Sequence, residues 1–190
     1  ISLVSETLKR FIDLYFQVSP EWTPSTRPGV SLKPPDQLDN DMLGVYMYHA
    51  MEDNHYTNLQ SVGSDSPQVR YIPLGLNMYY QITAKCTEVE NEDTGTIKEQ
   101  KMIGLAMKAL HDYPVIDDTS VITDTFGSEF RVFPSELQGT DNRFRIVLQS
   151  IPHNEAMNFW NAGNTPPRLA AYYQVSVVLL EPEEIQTRPG

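Results

Sequence analysis

The sequence predicts an α+β fold: a single domain in which two or three helices flank a mixed or antiparallel sheet. Three observations predict it. Segments with strand-like apolar patterns occur at least four times, segments with helical spacing interrupt them in mixed order, and 190 residues are close to the length of one domain. We therefore expect residues 1–190 to form one domain around one sheet.

The N-terminal segment predicts a helix followed by an arm. Five apolar residues there recur at helical spacing: Val4, Leu8, Phe11, Ile12 and Tyr15. Pro20 ends this helix. From 19 to 35 the chain holds five prolines and Gly29, so we expect a loop or extended arm on a surface, not a packed element.

Four segments carry strand patterns: 42–51, 74–82, 143–148 and 169–180. The second is the clearest, because Leu76, Met78 and Tyr80 alternate with residues that we expect on the opposite face of the strand. In the last segment we expect one shared face: Leu169, Ala171, Tyr173, Val175, Val177 and Leu179. The stretch between 117 and 140 is less regular and holds only short apolar pieces.

Two further helical segments complete the pattern. A charged loop at 88–95 precedes a helix from about Ile97 to Leu110, and one or two helical turns at 154–161 carry Trp160. The last ten residues, 181–190, predict an extended acidic tail.

Composition excludes several classes of partner. The sequence contains 14 Lys and Arg residues and 25 Asp and Glu residues, which gives a formal net charge of -11. Nucleic acids and anionic membrane surfaces bind mainly through Lys and Arg, so neither is expected as a partner. No apolar run approaches the length of a membrane-spanning helix, and direct membrane insertion is therefore not expected.

The search for catalytic chemistry finds one weak candidate. Glu52, Asp53 and His55 group three potential metal ligands, which leaves a small metal-dependent enzyme as an alternative, although a solvated turn is the favoured interpretation. Cys86 follows a strand and is expected to pack in the interior. Glycine-rich phosphate loops and the Gly-x-Ser-x-Gly pattern are absent from the sequence. We predict no catalytic residue, no cofactor and no metal.

Tyrosines form the most distinctive pattern. Seven lie in or beside the predicted strands: Tyr46, Tyr48, Tyr71, Tyr79, Tyr80, Tyr172 and Tyr173. Tyrosine is amphipathic and is enriched at protein interfaces. A half-buried sheet made of ordinary strand formers explains each tyrosine singly equally well.

The order of these segments resembles the tail terminator, or cap, proteins of extracellular contractile injection systems. Three stretches carry the resemblance: Val45–Asn58, with its Tyr-x-Tyr strand and acidic residues; Pro73–Pro114, a strand, loop and helix; and Asn158–Val175, with Phe-Trp and a tyrosine-bearing strand. Two positions depart from the family pattern. Thr57 stands where the family usually has Arg, and Ala170 stands where it often has Ser.

The resemblance implies a structural protein. Such a cap forms a hexameric ring on the distal end of the inner tube and contacts the last sheath layer, so its partners are copies of itself, the inner tube protein and the sheath protein. It implies assembly in the bacterial cytoplasm, within a particle whose release is left open. Seven residues are the candidate interface with subunits, tube or sheath: Tyr46, Tyr48, Asn58, Tyr80, Trp160, Tyr172 and Tyr173.

We expect the arm and the tail to reach the tube or sheath. Two alternatives to the cap, beside the metal-dependent enzyme, remain open. One is a baseplate or tube adaptor of the same particle, and the other is a chaperone-like binding domain.

Overall fold

The described part of the chain contains three α-helices, eight strands and two short 3-10 helices, Pro35–Gln37 and Ser135–Leu137. The computed structural model describes residues 1–22, 27–53, 74–87, 92–139, 142–161 and 166–180. The helices are α1 (Ser2–Val18), α2 (Glu92–Asp112) and α3 (His153–Asn161). The strands are β1 (Gly29–Ser31), β2 (Met42–Glu52), β3 (Leu74–Lys85), β4 (Val115–Asp117), β5 (Val121–Thr123), β6 (Glu129–Arg131), β7 (Arg143–Leu148) and β8 (Ala170–Leu180).

Six of these strands form one mixed sheet in the order β1-β2-β3-β8-β7-β4. Only the β1–β2 pair is parallel, and the other neighbours in this sheet are antiparallel. β5 and β6 form a separate hairpin. The predicted α+β class with a mixed sheet and flanking helices is confirmed.

The proline-rich stretch contains a packed strand, which corrects the expectation of an unpacked arm. β1 pairs with the start of β2, and the Gly29 N–H donates a hydrogen bond to the Asp41 carbonyl at 3.2 Å. Val30 is buried in the core. Three consecutive residues without proline are enough to supply ladder donors, which the count of prolines over the whole stretch hides.

Helix α2 begins earlier than predicted. Residues 92–95, expected to close a charged loop, are the first residues of the helix. Gly95 suggested a turn, yet a single glycine costs a helix only about 1 kcal/mol relative to alanine. The tertiary contacts of the long helix that follows outweigh that cost.

The core lies between one face of the sheet and the helices α1 and α2. The helices contribute Phe11, Ile12, Met102 and Ala106, all essentially inaccessible to solvent. The sheet contributes the predicted alternating residues of β3 together with buried residues of three other strands: Leu76, Met78, Tyr80, Ile82, Ala171, Tyr173, Val175, Ile146 and Ile116. Each large apolar side chain buried here contributes about 1.5–3 kcal/mol.

The opposite face of the sheet is partly covered by α3, where the Tyr172 hydroxyl lies 3.5 Å from the Ala156 carbonyl oxygen. The sequence predicts helical turns here but not their position on the sheet. Gln81 and Tyr172, on this second face, are both buried, so central strands are covered on two sides. Leu169, expected to share the core face of β8, instead precedes the strand and is 54% exposed. The predicted side-chain positions of Val177 and Leu179 lie outside the described side chains.

Candidate functional site: a tyrosine cluster on the second face of the sheet

Four aromatic residues of three adjacent strands meet on the second face, and we call them the aromatic cluster: Tyr48, His49, Tyr79 and Tyr172. The Tyr48 ring centroid lies 6.0 Å from that of Tyr172 in an edge-to-face arrangement and 6.3 Å from that of Tyr79. The His49 and Tyr79 centroids are 5.6 Å apart. Such pairs stabilise by about 0.5–1.5 kcal/mol beyond their area burial.

A β-bulge creates this cluster. The register between β2 and β3 shifts between Met47 and His49, so that Tyr48 is an extra residue on β2. Both Tyr48 and His49 therefore contact the ring of Tyr79. Bulges re-aim side chains in this way and increase local strand twist. Sequence reasoning could not locate the bulge, because a strict period of two places neighbouring residues on opposite faces.

Hydrogen bonds tie Tyr172 to the sheet and to α3. Gln81 donates from its side-chain nitrogen to the Tyr172 hydroxyl at 3.3 Å. Burial raises the pKa of Tyr172, and hydrogen bonds from Gln81 and Trp160 partly oppose this rise. Burial is also the main cause of the raised pKa of Tyr48. Both phenols therefore stay neutral at physiological pH and offer hydrogen bonds and apolar area rather than charge.

Five of the seven predicted interface residues belong to strands, and they divide between the two faces of the sheet. Tyr46, Tyr48 and Tyr172 lie on the second face, and Trp160 is a buried residue of α3 hydrogen-bonded to Tyr172. Tyr80 and Tyr173 lie in the core beneath α1 and α2. Their rings pack in the core between the sheet and these helices. Asn58 lies outside the described residues. Tyr79 and His49, which the predicted set does not include, belong to the same cluster.

Tyr80 is held by a buried hydroxyl pair. Its hydroxyl shares a hydrogen bond with the Ser5 hydroxyl of α1 at 2.8 Å. Burial raises the pKa of Tyr80 to about 12, and the hydrogen bond to Ser5 partly opposes that rise. The pair links the first helix to the central strand of the sheet.

Cys86 is buried in a polar junction between β2, β3 and α2. Its thiol donates to the Asp41 carboxylate at 2.9 Å, and its backbone N–H donates to the Glu99 carboxylate at 2.8 Å. Lys98 pairs with the same Asp41 oxygen at 2.8 Å. The expectation that Cys86 packs in the interior is confirmed.

The metal-ligand candidates are only partly described. Glu52 is exposed, and the Asp53 carboxylate accepts a hydrogen bond from the Asn77 side chain at 3.1 Å. His55 lies outside the described residues. Within the described ranges, no group of three or more His, Cys, Asp or Glu side chains is arranged to hold a metal ion.

A protein-family model matches almost the whole chain. Residues 3–190 match the model of the Pvc16 N-terminal domain. The chain belongs to the Pvc16 N-terminal domain family. Because the match covers more than half of the sequence, the family resemblance predicted from the residues is confirmed.

Two solved structures are similar to this Pvc16 N-terminal domain. The sheath/tube terminator of an extracellular contractile injection system, PVC, in its extended state, is 16% identical with a TM-score of 0.52, and the match covers 97% of this chain and 59% of that one. The tube-terminating cap of the anti-feeding prophage is 18% identical with a TM-score of 0.49, and the match covers 98% of this chain and 57% of that one. The chain thus spans less than two thirds of the length of these relatives. No curated protein matches the sequence.

The length and hydropathy of a helix decide whether it can cross a membrane. None of the described helices is both long enough and apolar enough to cross a bilayer.

Proposed function

We propose that the chain is a structural terminator, which caps the distal end of the inner tube of a contractile injection particle and contacts the last sheath layer. The observation that carries this proposal is the fold shared over 97% of the chain with a sheath/tube terminator, together with family membership. A terminator must cover the exposed end of the tube without offering a copy of that end to another subunit. Shape and contact area perform this role, and it needs no chemical step.

Oligomerisation and assembly belong to the same proposal. The cap is a ring of identical subunits, six by the family resemblance, joined by a contact between two different surfaces of the chain. It assembles on the tube in the bacterial cytoplasm. The aromatic cluster with Tyr46, the arm at 19–35 and the tail at 181–190 are the surfaces proposed to reach neighbouring subunits, tube or sheath. Asn58 remains a candidate in this set.

A non-enzymatic role is the corresponding proposal about chemistry. Burial raises the pKa of Tyr48 and of Tyr172, which keeps both phenols neutral, and the described carboxylates form no metal-binding group. The metal-dependent enzyme alternative therefore gains no support from the geometry. Substituting Glu52, Asp53 and His55 together with alanine should leave particle assembly unchanged. Metal bound stoichiometrically by the wild type and lost in this variant would reopen the alternative.

Deletion of the gene in a producing strain tests the proposed function. We expect particles with irregular tube and sheath lengths, measured by negative-stain electron microscopy, and restoration of uniform length by the wild-type gene. A gold-labelled tag on the protein should lie at the end away from the baseplate. Label at the baseplate would instead identify the adaptor, and uniform particle lengths after deletion would contradict termination.

A further inference from the structure

The outer side of β2 is the longest open edge of the six-stranded sheet among the described strands. β1 pairs only with Met42–Gly44, so the rest of β2, residues 45–52, has no described strand beside it on that side. At the other end of the sheet, β4 is three residues long and follows Pro114, which has no N–H to donate. An open edge presents backbone donors and acceptors to a strand of another chain.

Two backbone hydrogen bonds determine which residues of β2 point their N–H and C=O groups toward this edge. The Asp41 carbonyl accepts a hydrogen bond from β1 at 3.2 Å, so alternate residues from Asp41 to Met47 point outward. The Asp53 N–H donates to a carbonyl of β3 at 2.8 Å. Alternate residues before Asp53 therefore face β3, and Ala50 points outward.

The β-bulge interrupts this spacing. Between Met47 and Ala50 lie two residues, Tyr48 and His49, where a regular strand has one. The outward-pointing positions are therefore two residues apart on either side of the bulge and three apart across it. A regular strand offers groups to its neighbour at every second residue, so it cannot stay in register with this edge across the bulge. The increased twist at a bulge also turns the edge away from an incoming strand.

The aromatic cluster holds the bulge in place. Both residues between the outward-pointing positions pack on one ring of β3, with centroid distances of 6.3 Å from Tyr48 to Tyr79 and 5.6 Å from His49 to Tyr79. The bulge is thus fixed by packing on the second face of the sheet, and straightening β2 would break these contacts.

We propose that the bulge at Tyr48 prevents the open edge of β2 from pairing with a strand of another chain. Charge acts in the same direction, because Glu52 is an exposed acidic residue of this strand and the whole chain has a formal net charge of -11. The inference concerns the isolated chain and holds at whichever end of a particle the chain is found. In a terminator, it explains how a long open strand avoids recruiting further subunits.

Deletion of Tyr48 tests the proposal, since it leaves Met47 opposite Tyr80 and His49 opposite Tyr79 as consecutive pairs of a regular ladder. We expect association between copies to strengthen about tenfold or more, because a partner can then bond along the whole edge. Analytical ultracentrifugation over rising concentration measures it, in salt that screens the net charge. The matched control is Tyr48→Ala, which loses the same ring but keeps the extra residue and should associate as the wild type does. Equal association of the deletion variant and the control would overturn the proposal.

A proline separates pairing at this edge from general misfolding. Ala50→Pro, added to the deletion variant, removes an outward N–H, and proline is tolerated on edge strands. We expect it to return association to the wild-type level, while circular dichroism and urea denaturation show both variants folded. Association that persists with this proline would mean that the copies meet elsewhere, which contradicts the proposal.

Hydrogen exchange locates the edge directly. The backbone N–H groups of Met47 and Ala50 should exchange rapidly in the wild-type monomer and become protected in the associated deletion variant. Protection of both amides in the wild-type monomer would show that the edge is already covered, and the proposal would be wrong. These measurements use purified protein only. If they give the expected results while gene deletion leaves particle lengths uniform, the role of the bulge stands and the terminator function is wrong.

Discussion

Tyr80 shows how a single buried hydroxyl connects two elements of the fold. Its ring is fully inaccessible to solvent, and its hydroxyl shares a hydrogen bond with Ser5 at 2.8 Å across the interface between α1 and β3. A buried polar group of this kind stabilises only while its partner is present, because an unsatisfied hydroxyl in the core is costly. The Tyr80 hydroxyl therefore links α1 to β3, and the place of Tyr80 among the candidate interface tyrosines stays a prediction.

Tyr80→Phe should lower the free energy of unfolding by about 1 kcal/mol, the net value of a typical hydrogen bond. Tyr15→Phe is the matched control, because the Tyr15 hydroxyl donates to Asp112 at 3.2 Å on the exposed surface. Urea denaturation at neutral pH measures both. Equal losses in the two variants would show that the buried hydrogen bond stabilises the fold no more than the exposed one does.

Ionisation of Tyr80 should also change the free energy of unfolding at alkaline pH. Burial raises the pKa of Tyr80 to about 12 from its ordinary value of 10.0, so the unfolded chain loses this proton first as the pH rises. The contribution of this raised pKa to the free energy of unfolding is present in full below pH 10. It is lost between pH 10 and 12, at about 1.4 kcal/mol per pH unit. Burial also raises the pKa of Tyr173, with the same sign.

Urea titrations at several alkaline pH values measure this loss, and Tyr80→Phe should reduce the slope. A variant with the wild-type slope would mean that other groups cause the alkaline transition.

At the scale of elements, α2 has one side in the core and another on the surface. Its buried side packs on the sheet through Met102 and Ala106, and Met107 lies partly buried against the core. Gly104 lies between them on the exposed surface, and no atom stands within 4 Å of the position that a Cβ would take. Glycine inside a helix weakens it because the unfolded chain has more conformations to lose.

Gly104→Ala should raise the free energy of unfolding by about 0.5–1 kcal/mol. Lys101→Ala in the same helix exchanges one strong helix former for another and should change stability much less. Thermal and urea denaturation followed by circular dichroism compare the two. Destabilisation by Gly104→Ala would indicate a contact at this position that the structure does not contain.

The β5–β6 hairpin shows which element the sequence left undefined. The stretch from 117 to 140 holds only short apolar pieces, and no strand was predicted there. One local signal was available, since Asp124 and Gly127 have the spacing of a turn that a carboxylate and a glycine fix. Phe126, at the tip of the hairpin, is 93% exposed. Its exposure depends on how the hairpin is anchored, which no local pattern specifies.

At the scale of the whole molecule, β1 joins the proline-rich stretch to the sheet. Val30 is buried, and β1 forms one end of the six-stranded sheet. Deleting 19–35 would therefore remove core area as well as any surface that reaches tube or sheath. The two contributions need separate variants.

Deletion of 19–35 should lower both stability and the fraction of particles with a labelled distal end. Val30→Ala should lower the free energy of unfolding by roughly 2 kcal/mol through lost burial alone, while caps still form. Urea denaturation and electron microscopy of particles measure the two effects. If Val30→Ala reduces labelled ends as far as the deletion does, lost stability explains the result and the proposed arm contact is wrong.

The sequence by itself determined the α+β class, the two long helices, the four long strands and, through the order of its motifs, the family. These properties follow from local periodicity and spacing, which a chain carries whether or not it is folded. Tertiary structure alone decided that Tyr80 and Tyr173 face the core and that a bulge brings Tyr48 beside Tyr79. It also decided that α3 covers the second face and that an anchored hairpin holds Phe126 in solvent. Each of these depends on contacts between residues far apart in sequence, whose geometry no local pattern encodes.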